Sequence, residues 1–279
     1  GVINALKLTD RKMSEIKAVL FGAGASNTTI ASFLLQSGLN PDNLVVFDSK
    51  GGLHKNRHDT RDNPKRFKQW ELAQNTNPNE YNTMEEAMAG ADLLIALSTP
   101  GPNVIKPEWI KLMADKSIVF CCANPVPEIY PNEAKAAGAY IVATGRGDFP
   151  NQINNSVGFP GILKGALMVQ ATQITDSMAI AAAHSLATFA QNRGIDSENI
   201  VPKMDETEVF AHVAADVAMQ AIEDGVARQK LSRDQAFDTA LSDINSAREL
   251  THLMMDKGFI GTIPDELIAQ ALKDCGIVS

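Results

Sequence analysis

The chain has 279 residues, 44% of them apolar and 21% charged, with a formal net charge of −8. That composition can bury the core of one large domain or two small ones, and its acidic balance argues against nonspecific binding to nucleic acid or an anionic membrane. Cys121 and Cys122 adjoin in an apolar run and Cys275 stands apart, which makes neither a disulfide framework nor a zinc spacing; with no run near the ~18 apolar residues of a membrane span, a cytoplasmic protein is expected.

The first stretch, GVINALKLTDRK, reads as the end of an amphipathic helix and carries no initiator Met, so a preceding segment is expected. IKAVLFG (16–22) reads as a buried strand, followed by a helix through TTIASFLLQSG that Gly38 ends. NLVVFD (43–48) is a second strand, and the basic segment after it a loop with a short helix near Trp70. MEEAMAG and PEWIKLMAD are helices feeding the strands ADLLIALS and SIVFCCAN, and NEAKAAG leads into the strand AYIVATG. Short apolar runs alternating with helical segments predict an α/β fold, a doubly wound parallel sheet of the Rossmann kind covered on both faces. After Gly161 only helices are expected, the last of them starting at Pro264. The expected division is a nucleotide-binding unit over 1–170 and a helical part over 171–279 that packs on it or on a partner.

Between the first strand and its helix lies GAGASN, residues 22–27. Backbone amides at such a turn, aligned with the helix dipole, suit a dinucleotide pyrophosphate. Gly22 permits the tight turn, Gly24 lets phosphate approach, and Ala25, Ser26 and Asn27 complete the loop, with Asn27 where a small residue is usual. The second strand ends in Asp48, the position of a ribose-binding carboxylate, with Ser49 beside it. A lone acid there favours NAD over NADP, but Lys50, Lys55, Arg57, Lys65 and Arg66 follow and can offset the charge of a 2′-phosphate, so the choice stays open. The other strand ends carry Ser98, Thr99 and Asn124 in LSTPGPN and CANPVPE, then ATGRGDFPNQINN. These segments offer uncharged hydrogen bonds on rigid backbone where ligands of such sheets bind; Ser, Asn and Pro also end strands for purely structural reasons.

Together these residues resemble the malic enzymes, in particular the shorter bacterial and archaeal type, through GVINALKL, VLFGAGAS, VVFDSKG, ANPVPEI, ATGRGDFPNQINN and FPGILKGAL in order. The resemblance implies oxidative decarboxylation of malate to pyruvate and carbon dioxide with NAD or NADP and a divalent Mg2+ or Mn2+. It implies that Asn124 and Asn155 reach substrate and cofactor, with Asn154 beside them on the cofactor. It places the lysine base, the tyrosine acid and the metal ligands upstream of GVINALKL, so neither a catalytic nor a metal-ligating residue is assigned within this chain, and the 279 residues alone are expected to bind nucleotide without turning over malate. The expected partners are malate and pyruvate and a second copy of the chain, with no nucleic acid or membrane. Alternatives are a malolactic or other two-domain dehydrogenase and a nucleotide-binding module without catalysis. The tripeptide Arg146-Gly147-Asp148 is an adhesion motif only in an exported protein, and a local Arg146–Asp148 pair is expected instead. His54 and His58 lack a third ligand nearby; they and His252 read as surface residues, and His184 and His212 as packed or capping in helices.

Overall fold

The protein is described by a computed structural model over residues 1–261 and 263–275. Helix α1 (Val2–Thr9) precedes β1 (Ala18–Phe21), α2 (Ala25–Gln36), β2 (Leu44–Asp48) and β3 (Gly51–Gly52). Then come α3 (His58–Arg61), α4 (Phe67–Asn75), α5 (Met84–Met88), β4 (Leu93–Ala96), α6 (Pro107–Ile110), β5 (Ile118–Cys121), α7 (Pro131–Ala136) and β6 (Ile141–Thr144). Helices α8 (Asn155–Met168), α9 (Asp176–Arg193), α10 (Glu208–Glu223), α11 (Arg233–Asp256) and α12 (Asp265–Asp274) complete the described chain. None of them is long and apolar enough to cross a membrane.

The strands form one sheet in the order β3-β2-β1-β4-β5-β6, parallel throughout except for the β2–β3 hairpin. The expected doubly wound α/β architecture is therefore present, with the two-residue β3 as an added edge strand. Alternate residues feed two cores. Leu20, Val46, Ile95, Phe120 and Ile141 pack with α1, α2 and α4 on one face. Val19, Val45, Leu94, Val119 and Val142 pack with Met84, Met88, Ile110 and Ala134 on the other. Burial on both faces is why the strands read as continuous apolar runs.

Two boundaries differ from the sequence reading. Helix α2 starts at Ala25, directly from the glycine turn. Helix α8 starts at Asn155, six residues before Gly161, and carries Pro160 inside it. Glycine and proline in SVGFPGIL read as breakers, but the Asn154 side chain accepts from the Ser156 amide and starts the helix upstream of them.

Beyond the sheet, α8, α9 and α10 pack around small residues: Ala166, Ala182, Ala214, Ala215, Ala218 and Ala221 are all buried. Gly161 and Gly165 of α8 allow the closest approach, since a Cβ at Gly165 would lie 2.5 Å from the Ala214 carbonyl oxygen and 2.9 Å from Val217. The first half of α11 joins this cluster through Ala236 and Ala240, whereas Leu250, Leu253, Phe259 and Leu267 further along are exposed. His212 packs between Phe189 and Phe237, and His184 is exposed on α9.

Gly165→Ala should destabilise the chain by about 1–3 kcal/mol, because the clash is with backbone rather than a flexible side chain. Gly158→Ala, whose Cβ would meet nothing closer than Leu186 at 3.7 Å, should be neutral or stabilising by up to about 1 kcal/mol. Denaturant midpoints of the two variants test this contrast.

Candidate functional site

The parallel strands deliver their carboxyl ends to one edge, and the order changes direction between β1 and β4, where ligands of such sheets bind. At that point the backbone turns at Gly22, with φ of 104°, and a Cβ there would sit 2.3 Å from the Leu97 carbonyl oxygen. Gly24 caps α2 with nothing within 4 Å of its missing side chain, and Gly24, Ala25 and Ser26 are exposed. The first amides of the 12-residue α2 thus face open space with the positive end of the helix dipole behind them. The Asn27 side chain is turned inward, away from this opening. Its side chain is fully buried, and Nδ2 donates to the carbonyl oxygens of Phe21 at 3.0 Å and Gly22 at 2.9 Å. It holds the turn from beneath.

A cleft of about 450 Å³ opens beside this turn. Leu97, Phe120, Cys122 and Ile153 are among its apolar lining, and Ser26, Asn124, Asn154 and Asn155 are among its polar lining. Burial, with a smaller contribution from Glu128, pushes the Cys122 thiol up to about 12, so it is neutral lining. Asn124 is exposed, next to Gly145, where a Cβ would come within 2.9 Å of its Nδ2. Asn154 is committed locally: Oδ1 accepts from the Ser156 amide and hydroxyl, and Nδ2 donates to the Gly145 carbonyl at 3.2 Å. Asn155, in the first turn of α8, is exposed and makes no side-chain hydrogen bond among the described residues. Ser49 and Thr99 are also exposed and unbonded through their side chains among those residues. Ser98 is half-buried, and its amide and hydroxyl both donate to Glu128.

Arg146 and Asp148 pair as expected, with Nε to Oδ1 at 2.8 Å and Nη2 to Oδ2 at 2.6 Å, while Nη1 donates to the Pro125 carbonyl. The two charges of the tripeptide are paired with each other, and Arg146 also bonds the neighbouring loop, while Asp148 stays exposed. Asn151 reaches the far side, donating to the carbonyls of Val142 and Ser197 and accepting from the Ile200 amide. The whole GRGDFPNQINN stretch is thereby fastened at the sheet edge.

Residues 1–222 match the family model of the malic enzyme NAD-binding domain. The chain belongs to the malic enzymes. It is 39% identical to the bifunctional malic/malolactic enzyme of Bacillus subtilis, over 82% of this chain and 54% of that protein. It is 40% identical to the NAD-dependent malic enzyme of Geobacillus stearothermophilus, over 82% of this chain and 46% of that one. The crystal structure of Entamoeba histolytica malic enzyme superposes with a TM-score of 0.95 at 55% identity, covering 98% of this chain and 56% of that one. The chain spans about half the length of the curated relatives it matches. The family resemblance read from the motifs is borne out.

In this malic enzyme chain the end of β2 is a charge network. Asp48 Oδ2 accepts from Arg57 Nη2 at 2.8 Å and from Arg66 Nη2, and Oδ1 accepts from the Lys50 amide at 2.8 Å. Asp59 bonds Arg57, Arg66 and Lys50 in turn. Sequence reasoning found Asp48, Lys50, Arg57 and Arg66 one by one but not their pairing, and it did not single out Asp59. It missed Glu128 altogether, although a charged residue inside the apolar run ANPVPEI was the available signal. Among the described residues no group of three or more His, Cys, Asp or Glu side chains is placed to hold a metal ion, so these residues by themselves do not fit the divalent metal.

Burial of Asp48 works against its ionisation, but the hydrogen bonds from Arg57, Arg66 and the Lys50 amide outweigh it and hold its pKa below the ordinary 3.8. A depressed folded-state pKa gives stability that is complete above the unfolded value and lost as pH falls through the folded one. The denaturant midpoint should therefore drop as pH falls below about 4, and Asp48→Asn should flatten that part of the profile. Identical slopes in parent and variant would show that the network contributes nothing to acid sensitivity.

Proposed function

We propose that this chain is the nucleotide-binding part of an NAD(P)-dependent malic enzyme that converts malate to pyruvate and carbon dioxide. The observation that carries this reading is a pair of side-chain amides, Asn124 and Asn155, without hydrogen-bond partners among the described residues and lining one cleft beside the open N-terminus of α2. In this reading the amides of Ala25, Ser26 and Asn27 hold the pyrophosphate. Ser49 and the Asp48 network meet the adenosine ribose, while Ser98, Thr99 and Asn154 border the nicotinamide. Asn124 and Asn155 orient the substrate oxygens and the carboxamide against each other. Hydride transfer needs that relative placement more than it needs charge, because holding two reactants in register removes most of the entropic barrier.

The remaining assignments follow the same reading: residues 1–170 form the nucleotide unit and 171–279 a helical part. The exposed apolar side chains of α11 and α12 support association with a second copy. The unpaired cysteines support a cytoplasmic setting. The full-length protein, given malate, Mn2+ and nucleotide, should reduce the nucleotide and release pyruvate. Lactate without net nucleotide reduction would make the chemistry malolactic instead. Asn155→Ala should raise KM for malate with an unchanged circular dichroism spectrum, and an unaltered KM would remove Asn155 from the site.

The charge network also bears on which nucleotide is used. All the N–H groups of Arg57 are engaged, by Asp48, Asp59 and the carbonyls of Gly51 and Gly52. Arg66 spends one N–H on each carboxylate and makes no other side-chain hydrogen bond among the described residues, and Lys50 is largely exposed. Three cations facing two carboxylates leave a net positive charge where a ribose 2′-substituent would lie, which favours NADP. Arg66→Gln should weaken NADP binding about tenfold, a charge-assisted hydrogen bond being worth about 1.5–3 kcal/mol, and leave NAD binding unchanged. Equal losses for both nucleotides would refute the preference.

A further inference from the structure

Glu128 lies in the loop after β5 and is 0% exposed. Its Oε1 accepts from the Ser98 amide at 2.8 Å and the Ser98 hydroxyl at 3.2 Å, and its Oε2 accepts from the Ala123 amide at 3.1 Å. Its own backbone carbonyl accepts from the Ile105 amide at 3.0 Å, and two residues earlier the Val126 carbonyl accepts from Gly101 at 3.3 Å. One buried side chain thus joins the end of β4 to the end of β5. The bonds land on Ser98, and on the residue immediately before Asn124.

No cation is among its hydrogen-bond partners in the described structure; every donor it meets is neutral. An apolar residue of similar volume would leave the Ser98 and Ala123 amides without this partner, and a buried acid with no cation beside it carries a desolvation cost of its own. What the acid supplies is direction. By accepting the hydrogen bond of the Ser98 hydroxyl it leaves Oγ able only to accept, and by accepting from the Ala123 amide it fixes the peptide that leads into Asn124 at the cleft.

We propose that Glu128 is a positioning residue that orients the β4 and β5 ends toward the nicotinamide half of the cofactor, without touching the adenosine half. This rests on the nucleotide reading given above. The two halves lie at different strand ends, Gly24 and Asp48 on one side and Ser98 and Asn124 on the other, so disturbing Glu128 should separate them. Glu128→Gln keeps the shape but offers one acceptor oxygen where three donors need two. In its best orientation its NH2 group faces the Ala123 N–H, which loses a bond and opposes two donors.

The experiment compares ADP-ribose, which lacks the nicotinamide, with NADPH and NADH, by titration of the full chain and of Glu128→Gln. The variant should bind ADP-ribose as the parent does and the dinucleotides about tenfold more weakly, the range expected for one unsatisfied buried donor. Ser98→Ala, which leaves the carboxylate both of its amide partners, should show the same split to a smaller degree and covers the case in which Glu128→Gln does not fold. Dinucleotide affinity unchanged in both variants, or ADP-ribose and dinucleotide affinity falling together in Ser98→Ala, overturns the role of Glu128. A parent chain that binds none of these ligands overturns the nucleotide reading, and this inference with it.

Discussion

The geometry of the site depends on one close approach, that of β4 to the turn after β1. The Leu97 carbonyl passes through the space that a Gly22 side chain would fill, while Gly22 itself donates to the Phe47 carbonyl of β2. Turning there, with positive φ, lets the chain leave the sheet plane and start α2 within three residues, so the helix amides end up over the sheet edge rather than beyond it. A side chain at residue 22 would push β4 away and open the sheet at the point where its order reverses. Asn27 completes the arrangement from the helix side. Where glycine at that position would allow tight packing by absence, asparagine achieves it by bonding both strand-end carbonyls.

Charge is managed in two contrasting ways at the same edge. At β2, Asp48 and Asp59 share Arg57 and Arg66, and the network is partly exposed, so its balance can be altered by an incoming anion. At β4 and β5 the buried Glu128 meets only neutral donors and is sealed from solvent. The first arrangement can discriminate between ligands by charge, because spare donors remain on Arg66 and Lys50. The second cannot exchange partners without breaking the loops it joins, so its effect is confined to orientation.

The strands, the glycine turn and Asp48 were legible in the sequence because each rests on a local pattern: apolar runs, glycine spacing, an acid at a strand end. The start of α8 was not, because Pro160 and its flanking glycines outweighed a cap whose effect depends on the Asn154 side chain turning back on Ser156. The Asp48 network was only half legible. Its members lie close in sequence, but Arg57 and Arg66 reach Asp48 only because the short helices between them fold the segment back over β2. Glu128 was not legible as a clamp at all, since Ser98 is 30 residues away and the contact exists only once β4 and β5 are paired.

Composition alone could not rank the asparagines that crowd this edge; hydrogen-bond accounting can. Asn27 spends its amide on the turn, Asn151 spends both ends of its side chain on strand β6 and residues 197–200, and Asn154 is divided between capping α8 and holding Gly145. A buried amide so engaged cannot be offered to a ligand without leaving a backbone group unpaired, at a cost of about 1–3 kcal/mol. Asn124 and Asn155 carry no such commitment among the described residues, yet both are set on fastened backbone, one beyond the Glu128 clamp and the other on the first turn held by Asn154. Rigid placement with free hydrogen-bonding capacity is what a recognition residue requires, because the ordering cost is met in folding and the bond remains available for the ligand. Asn124 and Asn155 meet that requirement among the described residues, and the other three are the means by which they are held.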